Sequence, residues 1–245
     1  MFSLFGSKKT APDLSFISVD MHSHLLPGLD DGLQEMEHTL TFIRQLQQLG
    51  YKKLICTPHI LSDLYPNSPE TILPKLELVR AALEENKIDM QIEAAAEYMV
   101  DAEFENHINA GKQLLTFGKN FILIEMSYVA ASSNIEQVIF QLRIKGLQPI
   151  LAHPERYNYY LGTPEQYERF IDLGCLLQVN LLSLLGYYGE PVKSTAQNLV
   201  KKKMVSFAGT DMHHGNHLKG LKDLASRKNF YKLFEGVEIR NKELL

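Results

Sequence analysis

Residues 16–57 read FISVDMHSHLLPGLDDGLQEMEHTLTFIRQLQQLGYKKLICT, and the reading of this stretch decides the fold class. It opens on a short apolar run, Phe16–Asp20, and passes through a polar turn. It then enters Glu35–Leu49, where Phe42, Ile43, Leu46 and Leu49 recur at helical spacing. Gly50 stands where a left-handed C-cap would end that helix, and a second apolar run, Lys53–Thr57, follows at once. A strand, a helix and a strand in so short a span form a parallel pair joined by a right-handed crossover.

The unit recurs along the chain. Further strands are expected at Gln91–Ala96, Phe121–Met126, Pro149–Ala152, Leu176–Asn180 and Val205–Gly209, rich in Ile, Val, Leu and Phe as strands buried on both faces should be. Helices are expected at Pro69–Asn86, with Ser68 as N-cap and Pro74 delaying a regular start, and at Asp101–Ala110, Asn134–Lys145 and Thr163–Leu173. Two more fall at about Pro191–Lys203 and Leu218–Phe234. No Gly-x-Gly-x-x-Gly turn or Walker A loop follows any strand, which weakens an open nucleotide-binding sheet. The expected fold is a (β/α)7 barrel-like domain over residues 1–245, with 1–15 as a flexible tail.

The composition is that of an ordinary globular protein, 45% hydrophobic and 22% charged, and the net charge of -4 lacks the basic signature of a nucleic-acid binder. MFSLFGSKKT has no signal-peptide core and no run reaches the length of a membrane span, so a cytoplasmic enzyme is expected. Cys56 and Cys175 lie in apolar runs and read as buried thiols rather than a disulfide. Neither has an arginine six residues on (Ser62 and Leu181 stand there), so a phosphocysteine mechanism is not expected.

Almost every strand end carries a potential metal ligand. His22, His24, Asp30 and Asp31 follow the first strand, His59 the second, Glu97 and Glu125 end the third and fourth, His153 follows the fifth, and Asp211 and His213 follow the seventh. A barrel builds its active site on that face. In extended chain, residues two apart point the same way, so His22 with His24, and Asp211 with His213, can reach one ion. Mixed imidazole and carboxylate donors suit Mn, Fe or Zn, and their number suggests two or three ions. His38 and His107 lie within helices and read as surface residues. Arg156, in HPER, is the candidate phosphate binder, with an ion pair to Glu155 or another acid as its alternative. Tyr157, Tyr159 and Tyr160 can line a pocket or simply pack, and packing is the default for Leu181–Tyr188.

The string DMHSHLLPGLDDG, followed in order by TPH, AAEY, ILIEMS, LAHPER and GTDMHH, spans Asp20 to His214. It resembles the polymerase and histidinol phosphatase (PHP) family, and within it the CpsB/YwqE-like bacterial tyrosine phosphatases. The resemblance implies a distorted β/α barrel with a trinuclear site. One ion would take His22, His24, Glu97 and Asp211; a second would share Glu97 and add Glu125 and His153; a third would take Asp31, His59 and His213. Asp31 is assigned over Asp30 by its spacing from His22, and Arg156 matches the phosphate-binding arginine. Relatives often carry a second arginine after the last Asp-x-His; this chain has none there, and Lys219, Lys222, His214 or His217 are the candidates to replace it. The family implies manganese, with a metal-activated water as nucleophile. It implies phosphotyrosine protein substrates, above all a bacterial tyrosine kinase that controls exopolysaccharide or capsule synthesis. The alternatives are a small-molecule phosphatase acting on an ester such as histidinol phosphate, a phosphodiesterase or exonuclease, and a metal-stabilised regulatory module.

Overall fold

The computed structural model describes residues 13–245. In chain order the elements are β1 (Val19–Asp20), α1 (Met36–Gln48), β2 (Lys53–Cys56), β3 (His59–Ile60), α2 (Pro69–Glu85), β4 (Gln91–Ala94), β5 (Glu97–Met99), α3 (Ala102–Asn109), β6 (Phe121–Glu125), α4 (Ile135–Ile144), β7 (Gln148–Ala152), α5 (Pro164–Asp172), β8 (Leu176–Asn180), α6 (Glu190–Lys201), β9 (Phe207–Gly209) and α7 (Gly215–Ala225). The strands form two all-parallel sheets, β1-β2-β4 and β3-β5-β6-β7-β8-β9. Because β2 leads through Thr57-Pro58 into β3, and β4 through Ala95-Ala96 into β5, the sheets share two staves. A parallel bridge between Ser23 and Met212 joins the first stave to the last. The expected (β/α)7 barrel is therefore present, distorted by two broken staves.

Alternation along the strands divides the barrel interior in two. On β6 the inward positions are Phe121, Leu123 and Glu125, while Ile122 and Ile124 pack outward in the helix-covered core. The lower interior is filled by Val19, Ile55, Phe121, Leu123, Ile150, Phe207 and Leu244. The upper interior is polar, which is where a barrel places its chemistry. A C-terminal 3-10 turn, Arg240–Leu244, closes the bottom. Its Asn241 side chain donates to Val19 O (2.8 Å) and Ala208 O (2.7 Å) and accepts from Ala208 N (3.0 Å), lacing β1 to β9 where no ladder joins them.

Several expectations need correction. The first strand is shorter than Phe16–Asp20, because Ser15–Ile17 form a turn and Ser18 is left-handed (φ 64°). Residues 1–12 of the expected tail lie outside the described residues, but Leu14 is fully buried and its N–H donates to Leu49 O at 2.7 Å. Pro74 does not delay α2, which is regular from Pro69 behind a Ser68–Thr71 capping box. The last helix starts earlier and ends at Ala225; left-handed Asn229 (φ 68°) then leads into a separate 3-10 turn, Phe230–Phe234. Cys56 and Cys175 are both free and buried, and burial pushes both thiols up to about 12. Among the described residues, no helix is long and apolar enough to cross a membrane.

Candidate metal centre

The expected ligands stand in the upper half of the staves or in the loops that follow them, with Glu97 opening β5 and Asp31 in the loop after β1, and their side chains converge. Four groups have ligand atoms within 4.8 Å of one another: His24, Asp31, His59 and His213; His22, His24 and Asp211; His22, Glu97 and His153; His59, Glu97 and Glu125. Glu97 is the hub. Its Oε2 lies 3.1 Å from His22 Nε2, 3.4 Å from His24 Nε2 and 3.1 Å from His59 Nδ1, and its Oε1 lies 3.1 Å from His153 Nε2. Yet both oxygens are buried without a hydrogen bond of acceptable geometry. Carboxylate and imidazole lone pairs that face one another repel unless positive charge lies among them. His22 Nε2 and His24 Nε2 approach to 3.2 Å in the same manner. The donor set fits divalent cations.

The partners behind these side chains orient them as metal ligands are oriented. His22 Nδ1 lies 2.8 Å from Gln178 Oε1, so its proton is assigned there and Nε2 is left free. Gln178 is held in turn by Asn180 Oδ1 (2.9 Å), and Asn180 Nδ2 donates to Asp211 Oδ2 (2.7 Å). His24 Nδ1 pairs with Asp30 Oδ2 at 2.7 Å, and Asp30 also accepts from Gly32 N and His59 N. The neighbouring acids thus face different ways: Asp30 backs His24, and Asp31 Oδ1 lies 3.5 Å from both His59 Nε2 and His213 Nε2. Gly32 packs against His24 so closely that a Cβ there would overlap the carbonyl oxygen and Cβ of His24. His153 (φ 33°) and Asp211 (φ 50°) hold left-handed backbone, strain that collects at functional sites.

Electrostatics follow from this crowding. Burial opposes charge on His24, but Asp30 and Glu97 outweigh it and push the ring up to about 10. His22 and His59 are raised in the same sense, against burial, by Glu97 and its neighbouring acids. Glu97 and Asp211 are held well below the carboxylate range although burial raises them, because histidines surround both. Protons and cations compete for this cluster.

Arg156 follows His153 in a single 3-10 turn, Pro154–Arg156. Its Nη1 donates to Asp211 Oδ2 at 2.6 Å, and its guanidinium lies 4.8 Å from the Tyr128 ring centre and 4.2 Å from that of Tyr188. The ion pair weighed as its alternative role exists, with Asp211 in place of Glu155. Glu155 is buried and accepts from Asn180 N at 2.9 Å. Arg156 also lines a cleft of about 250 Å³ with Asp31, His59, Tyr128, His153, Asp211, His213, His214 and His217. A larger cavity of about 660 Å³ opens at the opposite end of the barrel, around Lys53, Lys119 and Arg240, away from the cluster.

The family model described as "Capsular polysaccharide synthesis, CpsB/CapC" matches residues 18–228. The chain belongs to this family. Tyrosine-protein phosphatase YwqE of Bacillus subtilis (strain 168) is 27% identical over 197 residues, 80% of this chain and 77% of that protein. Putative tyrosine-protein phosphatase CapC of Staphylococcus aureus is 25% identical over 222 residues, 90% of this chain and 87% of that one. A crystal structure from work on YwqE from Bacillus subtilis and CpsB from Streptococcus pneumoniae, called there "unique metal-dependent tyrosine phosphatases", is similar at a TM-score of 0.80. It is 25% identical and covers 93% of this chain and 94% of that one.

Within this CpsB/CapC chain the geometry departs in places from the sequence reading. The expected grouping put Glu125 with His153; here Glu125 Oε1 meets His59 Nδ1 at 2.8 Å, while His153 joins His22 and Glu97. Tyr157 is core, fully buried, with its hydroxyl between Ala152 O and Met126 N. The aromatic rings at Arg156 are Tyr128 and Tyr188, neither of which sequence reasoning singled out for the site. Gln178 and Asn180 were also missed. The available signal was two amides, two residues apart, inside an otherwise apolar strand, LLQVN. Of the candidates to replace a second arginine, His214 and His217 line the cleft; Lys222 bonds Gln45 on α1 instead, and Lys219 is exposed outside the cleft. Neither His38 nor His107 joins the cluster.

Proposed function

We propose that this chain is a metal-dependent protein-tyrosine phosphatase of the cytoplasm. Its substrate would be a phosphotyrosine protein, specifically a bacterial tyrosine kinase that governs capsule or exopolysaccharide synthesis. The observation that carries the reading is Glu97, a buried carboxylate facing four imidazole nitrogens with no hydrogen bond of its own, beneath a cleft that Arg156 lines. The similarity to YwqE and CapC supports the phosphotyrosine substrate. His22, His24, Asp31, His59, Glu97, Glu125, His153, Asp211 and His213 would hold two or three divalent cations, manganese by preference, with iron or zinc as alternatives.

When bound, such cations supply Lewis acidity, lowering the pKa of water and offsetting phosphoryl charge. The chain's own residues do the rest. Asp30 and Gln178 fix the tautomers that leave His24 Nε2 and His22 Nε2 free. Arg156, braced by Asp211, Tyr128 and Tyr188, keeps further N–H donors for phosphoryl oxygens. A tyrosine leaving group, with a pKa of about 10, leaves more readily than an alkoxide and needs less help from a general acid.

The test is phosphate release from a phosphotyrosine peptide and from histidinol phosphate, using chelator-stripped protein with and without added manganese. Manganese-dependent release from the peptide is expected. Release from histidinol phosphate alone overturns the substrate. Activity that survives verified stripping overturns the metal requirement.

A further inference from the structure

The cleft over the cluster is lined by one guanidinium, Arg156, and by two imidazoles outside every ligand group, His214 and His217. His217 is only 7% exposed. Its Nδ1 accepts the His213 N–H at 3.3 Å, which assigns its ring proton to Nε2, and Nε2 has no partner among the described residues. The rings of Tyr187 and Tyr188 meet it edge-on, with centres 5.1 and 6.1 Å away. Tyr188 is the ring that also carries the Arg156 guanidinium, so one side chain braces both donors. His217 stands in the first turn of α7, whose end adds partial positive charge toward the same cleft.

A buried ring, clamped by neighbours and pinned in one tautomer, with its remaining donor free in a cleft, is built to meet an acceptor. We infer that His217 Nε2–H donates to a phosphoryl oxygen of the bound ester, as a neutral second holder beside Arg156. This rests on the reading of the cleft as a phosphate-ester site. It makes His217 a binding residue of a different chemistry from the ligand histidines: it holds substrate and is not required for metal.

The test uses inorganic phosphate as probe, titrated calorimetrically into metal-loaded wild type, His217→Phe and His217→Gln, with metal content measured on each. Phenylalanine keeps a ring between the tyrosines and removes both the Nε2 donor and the Nδ1 acceptor of the His213 N–H; glutamine restores an N–H and an acceptor. His217→Phe is expected to keep its metal and to weaken phosphate about 10-fold or more, and His217→Gln to stay within roughly 3-fold of wild type. The KM for a phosphotyrosine peptide should rise more than kcat falls. A His217→Phe protein that keeps metal and binds phosphate like wild type overturns the inference. Should that variant fail to fold or lose metal, His217→Arg decides: it must bind phosphate at least as tightly as wild type, and weaker binding overturns the inference. If wild type releases nothing from phosphotyrosine peptides while His217→Phe still loses phosphate binding, the proposed function fails and this inference stands.

Discussion

Glu97 is the side chain on which the candidate centre turns, because it belongs to two of the four ligand groups and, through His24 at 3.4 Å, touches the other two. Glu97→Gln keeps the shape, removes the negative charge and offers the facing imidazole lone pairs an N–H where a cation would lie. It should lose bound metal and lower phosphate release at least about 100-fold, read by metal analysis alongside an activity assay. Arg156→Ala should separate from it: metal content is retained, while phosphate release falls about 10- to 100-fold, mainly through KM. Equal metal loss in both variants would mean that Arg156 acts only as the counter-ion of Asp211. Gly32→Ala tests the floor beneath His24. The added methyl must displace the His24 carbonyl or the turn, so unfolding free energy should drop by about 1–3 kcal/mol in a denaturant titration.

Among the elements, the seam between β1 and β9 matters most, since the chain beyond β1 carries His22 and His24 and that beyond β9 carries Asp211 and His213. Three devices hold it: the Ser23–Met212 bridge at the top, Thr210 N donating to Asp20 Oδ1 at 2.9 Å in the middle, and Asn241 at the bottom. Asn241→Ala leaves Val19 O, Ala208 O and Ala208 N without their partner in a buried place. It should cost about 2–4 kcal/mol in unfolding free energy, with metal content at saturation unchanged. A loss under about 0.5 kcal/mol would show that the C-terminal turn merely covers the barrel bottom.

On the scale of the whole molecule, the centre ties stability to pH. His24 is raised from 6.5 to about 10, so its contribution to the metal-free fold is complete below pH 6.5 and is lost as pH climbs through about 10. Asp31, Glu97 and Asp211 are lowered, so theirs is present above the ordinary carboxylate range and lost as pH falls through the depressed values. Metal-free protein should therefore lose Tm between pH 7 and about 9.5. Cations replace those protons, so the gain in Tm on adding manganese should grow over the same interval. A metal-induced shift that is flat with pH would mean that the histidines are neutral before metal binds.

The sequence by itself determined the alternation of strand and helix, the all-parallel sheet, and the class of residue at each strand end. These follow from local periodicity, from caps such as Ser68 and Gly50, and from the rule that charge at the end of a buried strand needs a purpose. Only the tertiary structure decided which side chains meet, because Glu125 reaching His59, and His153 reaching His22, depends on where separate staves end in space. It also decided that Tyr128 and Tyr188, far apart in the chain, close on Arg156, and that Tyr157 packs away from it. Local pattern tells which way a side chain points along its own strand; what it meets there is set by the twist and closure of the barrel.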